Sequence, residues 1–315
     1  TDDGEWNRTI NGTTDWVYEE ELGFTRAYAF SPDSRHVAYL RFDESRVPIF
    51  EMMRYDGELY DKAYSFKYPK AGGTNSTVEL WVYDTADGSR RKVDVGEEAD
   101  QYISSLGWTP DGRLYFFRIN RHQNRFEIVI DDNGRQKVAY GESATQYVER
   151  KSATDVLFID GDRFIVREET TAGYMHLYLH SIERGRLNAV TCGQWDVTQL
   201  VGTDGKRLWY VSTETSPLRR NLYSVRLDGR QKRRLTSEEG YYTIAPSNGM
   251  RYYVATYSSA ATPNIVTVHT AEGRTVDTLR DNRAAVAAFG ESARREFFTF
   301  TTERGDTLNA YMVRP

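Results

Sequence analysis

The sequence has 315 residues and a mass of 36.3 kDa, enough chain to bury a large core. Lysine and arginine together number 41 and aspartate and glutamate 46, so the net charge of −5 disfavours a generally basic nucleic-acid-binding protein. The one cysteine, Cys192, excludes an internal disulfide framework and a cysteine-cluster metal site. No run approaches about 18 apolar residues, so the sequence predicts no membrane span.

A turn followed by a short apolar run recurs along the chain. The copies are SPDSRHVAYLRF (31–42), TPDGRLYFFRI (109–119), FIDGDRFIVRE (158–168), GTDGKRLWYVS (202–212) and two weaker ones, APSNGMRYYVAT (245–256) and FGESARREFFTF (289–300). After a first spacing of 78 residues and a second of 49, the turns repeat every 44 residues. A second series of turns lies between them, at Gly88, Gly134, Gly185, Gly229 and Gly273. Each period therefore predicts two hairpins.

These two hairpins differ in polarity. The strand after the first turn is nearly continuous in apolar residues, and the second hairpin is polar at alternate positions. Four strands per period, apolar inside and polar outside, are typical of a β-propeller blade. A two-sheet sandwich is the alternative, but it does not generate a regular repeat of this length. We therefore predict an all-β fold, a β-propeller of four-stranded antiparallel blades.

Five complete blades are predicted, at about 24–95, 102–141, 155–192, 198–237 and 242–280. Residues 285–315 supply part of another blade. Residues 1–14 are expected to close a blade that begins outside this sequence. The prediction for residues 1–315 is thus a partial propeller of about five to six blades.

Two segments interrupt the repeat. The first is Asp15-Trp16-Val17-Tyr18-Glu19-Glu20-Glu21-Leu22. Charge statistics favour a helical turn whose carboxylates are solvated, whereas adjacent carboxylates aimed into a cavity would instead hold an ammonium group. The second interruption, residues 43–77, is rich in tyrosine and methionine, which indicates an arm with a partner surface.

Several motifs resemble the propeller domain of the dipeptidyl peptidase IV family, serine peptidases of the prolyl oligopeptidase type. They are DWVYEEE (15–21), SPDSRHVAYLRFDESRVP (31–48), YPKAG (68–72), GQWDV (193–197), RNLY (220–223) and LNAY (308–311). The resemblance runs through the chain in order. DWVYEEE followed by YPKAG is its most specific part.

The resemblance implies an exopeptidase that removes N-terminal Xaa-Pro or Xaa-Ala dipeptides, with an eight-bladed propeller capping a C-terminal α/β-hydrolase domain. The last two glutamates of the family motif bind the free α-amine of the substrate, which assigns that role to Glu20 and Glu21. Trp16, Tyr18 and Glu19 would support the site. Two adjacent glutamates after DWVYE favour release of dipeptides over tripeptides. The expected ligands are therefore peptides with a free N-terminus and Pro or Ala at the second position.

The family also implies homodimerisation through the 43–77 arm and export to the periplasm or cell surface. The nucleophile elbow G-x-S-x-G is not matched, because GESAT (141–145) and GESAR (290–294) lack its final glycine. We expect no catalytic residue, no cofactor and no metal site in this chain. Its own hydrolase domain would lie beyond residue 315, and the fragment alone would be inactive.

Other residues carry weaker signals. The two histidines of the strand HLYLHSI, His176 and His180, are expected at a surface or edge, and Cys192 is expected to be packed. The family's Phe-Arg pair would fall near Arg150-Lys151, where the match is poor, so no role is assigned there. The alternative function is a non-enzymatic scaffold for protein interactions. A scaffold gives no reason to cluster Glu19, Glu20 and Glu21.

Overall fold

The computed structural model describes residues 3–289 and 295–313, so the GESAR segment at 290–294 lies outside the described residues. The first part of the chain forms a five-stranded sheet, a short helix and a separate hairpin. In chain order these elements are β1 (Thr9–Asn11), α1 (Trp16–Glu20), β2 (Tyr28–Phe30), β3 (His36–Asp43), β4 (Ile49–Arg54), β5 (Lys62–Lys67), β6 (Thr77–Asp84) and β7 (Arg90–Val93).

Four further sheets follow, each with four strands in chain order. Their strands are β8 (Gln101–Trp108), β9 (Leu114–Asn120), β10 (Arg125–Asp132) and β11 (Arg135–Ser143); β12 (Val156–Phe158), β13 (Arg163–Glu169), β14 (Met175–Ser181) and β15 (Gly185–Ala189); β16 (Val197–Thr203), β17 (Arg207–Ser212), β18 (Asn221–Arg226) and β19 (Arg233–Arg234); β20 (Tyr241–Pro246), β21 (Tyr252–Ser258), β22 (Ile265–Thr270) and β23 (Thr275–Arg280). Helix α2 (Arg283–Phe289) and the hairpin of β24 (Arg295–Thr301) and β25 (Thr307–Val313) end the described chain.

Each of the five predicted units corresponds to one of these sheets, with neighbouring strands antiparallel. The predicted fold class, a β-propeller of four-stranded antiparallel blades, is confirmed. The repeated turns form because their aspartates accept hydrogen bonds from backbone N–H groups just ahead in the chain. Asp33 accepts from Arg35 N at 3.0 Å, and Asp204 accepts from Arg207 N at 2.7 Å. The repeat therefore arises from local turn chemistry.

The prediction for residues 1–14 is wrong in one respect. β1 does not close a separate blade but pairs with the second half of β3, from Arg41 to Asp43. β2 pairs with the first half of the same strand, from Val37 to Tyr39. Because β2 is only three residues long, it leaves half of β3 unpaired, and β1 completes that edge. Together β1 and β2 act as one strand interrupted in its middle.

The predictions for both histidines and for Cys192 are also wrong. His176 is 1% exposed and His180 is 4% exposed, because β14 is an inner strand of its sheet. The ring nitrogens of His176 contact Thr191 Oγ1 and the Gly193 carbonyl, both at 3.0 Å. Cys192 is exposed instead of packed, because it follows the end of β15 in the connection to the next sheet.

The chain divides into two compact units, residues 1–165 with 180–187 and residues 166–179 with 188–315. The first unit is built on fully buried side chains such as Leu40, Phe42 and Phe116. The second has a core that includes Trp209 and Tyr253. Within residues 3–289 and 295–313 no helix has the length and apolar character needed to span a bilayer. All residues of the DWVYEEE motif belong to the first unit.

Candidate functional site

Helix α1 lies in an excursion, the segment between β1 and β2, which leaves the first sheet and returns to it beside the same residue of β3. Gly12 N donates a hydrogen bond to the Leu40 carbonyl at 3.0 Å, and Leu40 N donates to the Ala27 carbonyl at 2.9 Å. Ala27 N closes the base of the excursion by donating to the Gly12 carbonyl at 3.1 Å. The ends of the excursion are therefore fixed opposite one residue of β3. Its helical part must be held by other contacts.

Asp15 starts the helix and ties it to β6. Its backbone is extended, and its Oδ1 accepts a hydrogen bond from Tyr18 N at 3.0 Å, which is an N-cap contact. Its Oδ2 accepts from Ser76 Oγ at 2.6 Å, just before β6 begins. Burial raises the pKa of the Asp15 carboxyl, and the two hydrogen bonds oppose that rise. Both carboxylate oxygens of Asp15 are thus engaged by hydrogen bonds within the protein, and neither is available to a ligand.

Tyr18 anchors the helix to the second sheet. Its side chain is 3% exposed, and its hydroxyl oxygen accepts a hydrogen bond from Ile103 N in β8 at 2.8 Å. The ring packs edge-on against Phe42, with centroids 4.8 Å apart, and edge-on against Tyr102 at 6.0 Å. Burial raises the pKa of the Tyr18 hydroxyl well above its usual value, so the group stays neutral. This contact joins two sheets through one side chain.

Two more contacts complete the support of the helix. The Trp16 ring lies 4.2 Å from the Tyr68 ring, so the DWVYEEE and YPKAG motifs touch in space. Arg150 Nη1 donates a hydrogen bond to the Leu22 carbonyl at 2.8 Å, just after the motif. No local sequence pattern predicts this contact, because 128 residues separate the two partners. Its neighbour Lys151 is buried, with Nζ 2.9 Å from Glu142 Oε1.

The three glutamates of the motif are all exposed. Glu20 is the last residue of α1 and Glu21 its C-cap, and Glu21 N donates to the Val17 carbonyl at 2.9 Å. In the described part of the chain, no hydrogen bond or ion pair engages the carboxylates of Glu19, Glu20 or Glu21. The backbone of these three residues is therefore held in place, while their carboxylates have no partner in the described part of the chain. Such carboxylates can accept charge-assisted hydrogen bonds from an ammonium group.

A groove of about 520 Å³ lies next to this region, and we call it the Glu44 groove. Its walls include the aromatic side chains of Trp6, Trp16 and Phe66. Its charged lining residues are Glu5, Asp15, Glu19, Glu44 and Lys67. Burial and the nearby Asp15 charge raise the pKa of Glu44 to about 7, and Lys67 opposes that shift.

No cluster of three or more histidine, cysteine, aspartate or glutamate side chains with metal-binding geometry occurs among residues 3–289 and 295–313. The remaining feature of interest is the hairpin of β4 and β5, which belongs to neither the first nor the second sheet. Its tip carries Tyr55, Leu59 and Tyr60, which are 78%, 90% and 80% exposed. The segment from 43 to 77 therefore contains a projecting hairpin with an apolar tip.

The family model for the "Dipeptidyl peptidase IV (DPP IV) N-terminal region" matches residues 1–264. The chain belongs to the dipeptidyl peptidase IV family. It is 27% identical to dipeptidyl peptidase 4 of Arthroderma otae, over 98% of this chain and 42% of that relative. It is 28% identical to a probable dipeptidyl peptidase 4 of Emericella nidulans, over 97% of this chain and 43% of that relative.

One solved structure agrees with this membership, and a second shares the fold. The crystal structure of Porphyromonas gingivalis dipeptidyl peptidase 4 superposes with a TM-score of 0.93 and 36% identity, covering all of this chain and 46% of that one. A putative dipeptidyl aminopeptidase IV from Bacteroides ovatus shares the fold, with a TM-score of 0.81 and 22% identity over 99% of this chain. The chain spans less than half the length of these relatives. It corresponds to the N-terminal propeller region of the family.

The raised pKa of Glu44 predicts a pH-dependent loss of stability. A carboxyl whose pKa is higher in the folded state favours folding while it is protonated and loses that advantage as pH rises through its folded pKa, about 7. The free energy of unfolding of the wild type, measured by urea denaturation, should therefore fall relative to that of Glu44→Gln between pH 5 and pH 8. The exposed Glu303→Gln serves as the control and should follow the wild type. A constant difference between wild type and Glu44→Gln would show that Glu44 titrates normally.

Proposed function

We propose that this chain is the substrate-gating propeller region of a dipeptidyl peptidase IV-type serine exopeptidase. Glu20 and Glu21 bind the free α-amine of a peptide substrate. The catalytic serine, aspartate and histidine lie in a C-terminal hydrolase domain of the parent protein, and this region alone is inactive. The substrates are peptides with a free N-terminus and Pro or Ala at the second position, and the parent protein is exported to the periplasm or cell surface.

One observation carries the assignment of the amine site. The helix that ends in Glu20 and Glu21 is held at Asp15, Trp16 and Tyr18, yet the carboxylates at its end are exposed and unpaired. A protein that held this helix only for stability would gain nothing from adjacent unpaired charges. Fixed carboxylates are instead suited to an ammonium ion, because little further ordering is needed when the ligand binds.

Tyr18, Trp16 and Glu19 support the amine site in different ways. Tyr18 fixes the helix against β8, and Trp16 fixes it against Tyr68 at the base of the arm. Glu19 contributes negative charge beside the amine-binding pair. Carboxylates at a set distance from a nucleophile act as a ruler, because only a substrate whose amine reaches them is aligned for reaction. This explains how a propeller without catalytic residues sets dipeptide specificity.

Kinetics of the full-length parent test the amine site. Glu20→Gln and Glu21→Gln should each lower kcat/KM for a Gly-Pro chromogenic substrate by about 30-fold to several thousand-fold. This corresponds to the roughly 2–5 kcal/mol lost when one partner is removed from a charged pair that substrate binding buries. Glu303→Gln, on the exposed turn after β24, should leave kcat/KM unchanged. Wild-type kcat/KM in both amine-site variants would refute the assignment.

We propose further that the hairpin of β4 and β5 contributes to a homodimer of the parent protein. Its strands present Ile49, Met52 and Met53 to solvent in addition to the apolar tip. A contiguous exposed apolar surface on a projecting element is typical of a protein contact. Aromatic and methionine side chains are enriched at such contacts.

Sedimentation velocity of the parent protein tests the dimer. Replacing Tyr55, Leu59 and Tyr60 together by serine should shift the protein from dimer to monomer, because the substitutions remove the apolar tip without touching the strand pairing of the hairpin. Tyr147→Ser, at a residue 72% exposed outside the arm, is the matched control and should remain dimeric. A dimer that survives the triple substitution would mean that the arm is not the main contact.

A further inference from the structure

The Glu44 groove has the composition of a binding site for a cation. Trp6, which is 73% exposed, and the half-buried Trp16 and Phe66 give it aromatic walls. The faces of aromatic rings attract cations, and tryptophan does so most strongly. The volume of about 520 Å³ accommodates a small organic molecule and exceeds what a single ion needs. Walls and volume together favour an organic cation.

Glu44 supplies the charge. The residue is only 6% exposed and lines the groove, yet its carboxylate has no hydrogen-bond or ion-pair partner within the described ranges 3–289 and 295–313. Its backbone is held, because Glu44 N donates to the Arg8 carbonyl at 2.8 Å and its own carbonyl accepts from Val47 N at 2.9 Å. An ionised carboxylate in this position is costly without a partner, and a bound cation would offset that cost.

The other charged residues of the groove do not satisfy Glu44. Lys67 directs its ammonium to backbone, with Nζ donating to the Val47 carbonyl at 2.7 Å and to the Ser45 carbonyl at 3.4 Å. Arg8 is engaged by Glu5 at 3.1 Å. Asp15 is used by the helix cap, and Glu19 is exposed and adds a further negative charge. The groove therefore retains an excess of negative charge next to its aromatic walls.

We propose that the Glu44 groove binds a primary ammonium or guanidinium group, with the Glu44 carboxylate as its ion-pair partner and Trp6 and Trp16 as its aromatic wall. This site is separate from the amine site proposed at Glu20 and Glu21, and neither residue lines the groove. The cation can belong to a free amine or to a lysine or arginine side chain of a peptide.

The charge state of Glu44 gives the site a pH dependence. The charged groups that line the groove with Glu44 are Asp15 and Glu19 from the α1 segment, Lys67 from β5, and Glu5 from the segment before β1, where Arg8 pairs with Glu5. Burial and the Asp15 charge oppose ionisation of Glu44, Lys67 favours it, and the pKa of Glu44 is about 7. Because the ionised form binds the cation, affinity should be about tenfold weaker at pH 6 than at pH 8.

Isothermal titration calorimetry of this chain at constant ionic strength tests the proposal. The probes are n-butylammonium chloride, which represents a free amine, and N-acetyl-lysine N-methylamide and N-acetyl-arginine N-methylamide, which represent peptide side chains and have no free α-amine. At pH 8, Glu44→Gln should weaken binding of the better probe by at least tenfold, since the substitution keeps the shape and removes the charge. Glu303→Gln should bind as the wild type does.

Two further measurements distinguish binding at this site from binding elsewhere. The double variant Glu20→Gln/Glu21→Gln should keep the binding event that Glu44→Gln removes, even if it loses binding of an amine at the helix end. Loss of binding in that variant, with retention in Glu44→Gln, would place the cation at the helix end and overturn the proposal. Calcium chloride should not compete with the probe, and competition would show an inorganic cation site instead. The pH comparison uses only the wild type. Equal probe affinities at pH 6 and pH 8 would also overturn the proposal.

Discussion

Helix α1 lies outside the sheet from which it projects, so strand pairing in that sheet does not hold it in place. The hydrogen bond from Ile103 N to the Tyr18 hydroxyl supports the helix from the next sheet. β1 and β2 share one edge of β3, and α1 projects from the gap between them. Without tertiary contacts such as the one at Tyr18, a five-residue helix has too few internal hydrogen bonds to persist. The position of Glu20 and Glu21 therefore depends on packing between two sheets.

Two acidic environments lie close to this helix. In the first, Glu20 and Glu21 are exposed at a fixed helix end and carry unpaired charge into solvent. In the second, Glu44 lines a groove, and its burial together with the Asp15 charge raises its pKa to about 7. Burial and the Asp15 charge both disfavour ionisation of Glu44. Cation binding in the Glu44 groove should therefore respond to pH near neutrality.

Much of the fold could be predicted from the sequence, because each blade is specified by local signals. Turn aspartates such as Asp33 and Asp204 bond to backbone just ahead of them, so the repeat can be read without knowledge of long-range contacts. The burial of His176 could not be predicted from such local signals. Its strand alternates like a surface strand, and only its place inside the sheet, with partners at Thr191 and Gly193, accounts for a buried imidazole.

The candidate site could be predicted only in part. The cluster of Glu19, Glu20 and Glu21 is visible in the sequence, as is its place outside the repeat. The contacts of Tyr18 with Ile103 and of Arg150 with Leu22 join residues 85 and 128 positions apart, and no local pattern encodes them. The partial burial of charge in the Glu44 groove is likewise a product of tertiary packing, since Glu44 itself follows β3 as an ordinary turn residue.

Hydrogen–deuterium exchange of this chain tests most directly whether the Tyr18 contact holds the helix. Tyr18→Phe removes the acceptor and leaves Ile103 N without its partner. Deuterium uptake should become faster in peptides covering 16–22 and 101–105 and stay unchanged in the peptide covering 252–258, which lies in another sheet. Unchanged uptake at 16–22 in Tyr18→Phe would contradict the account, because the helix would then be held by contacts other than this one.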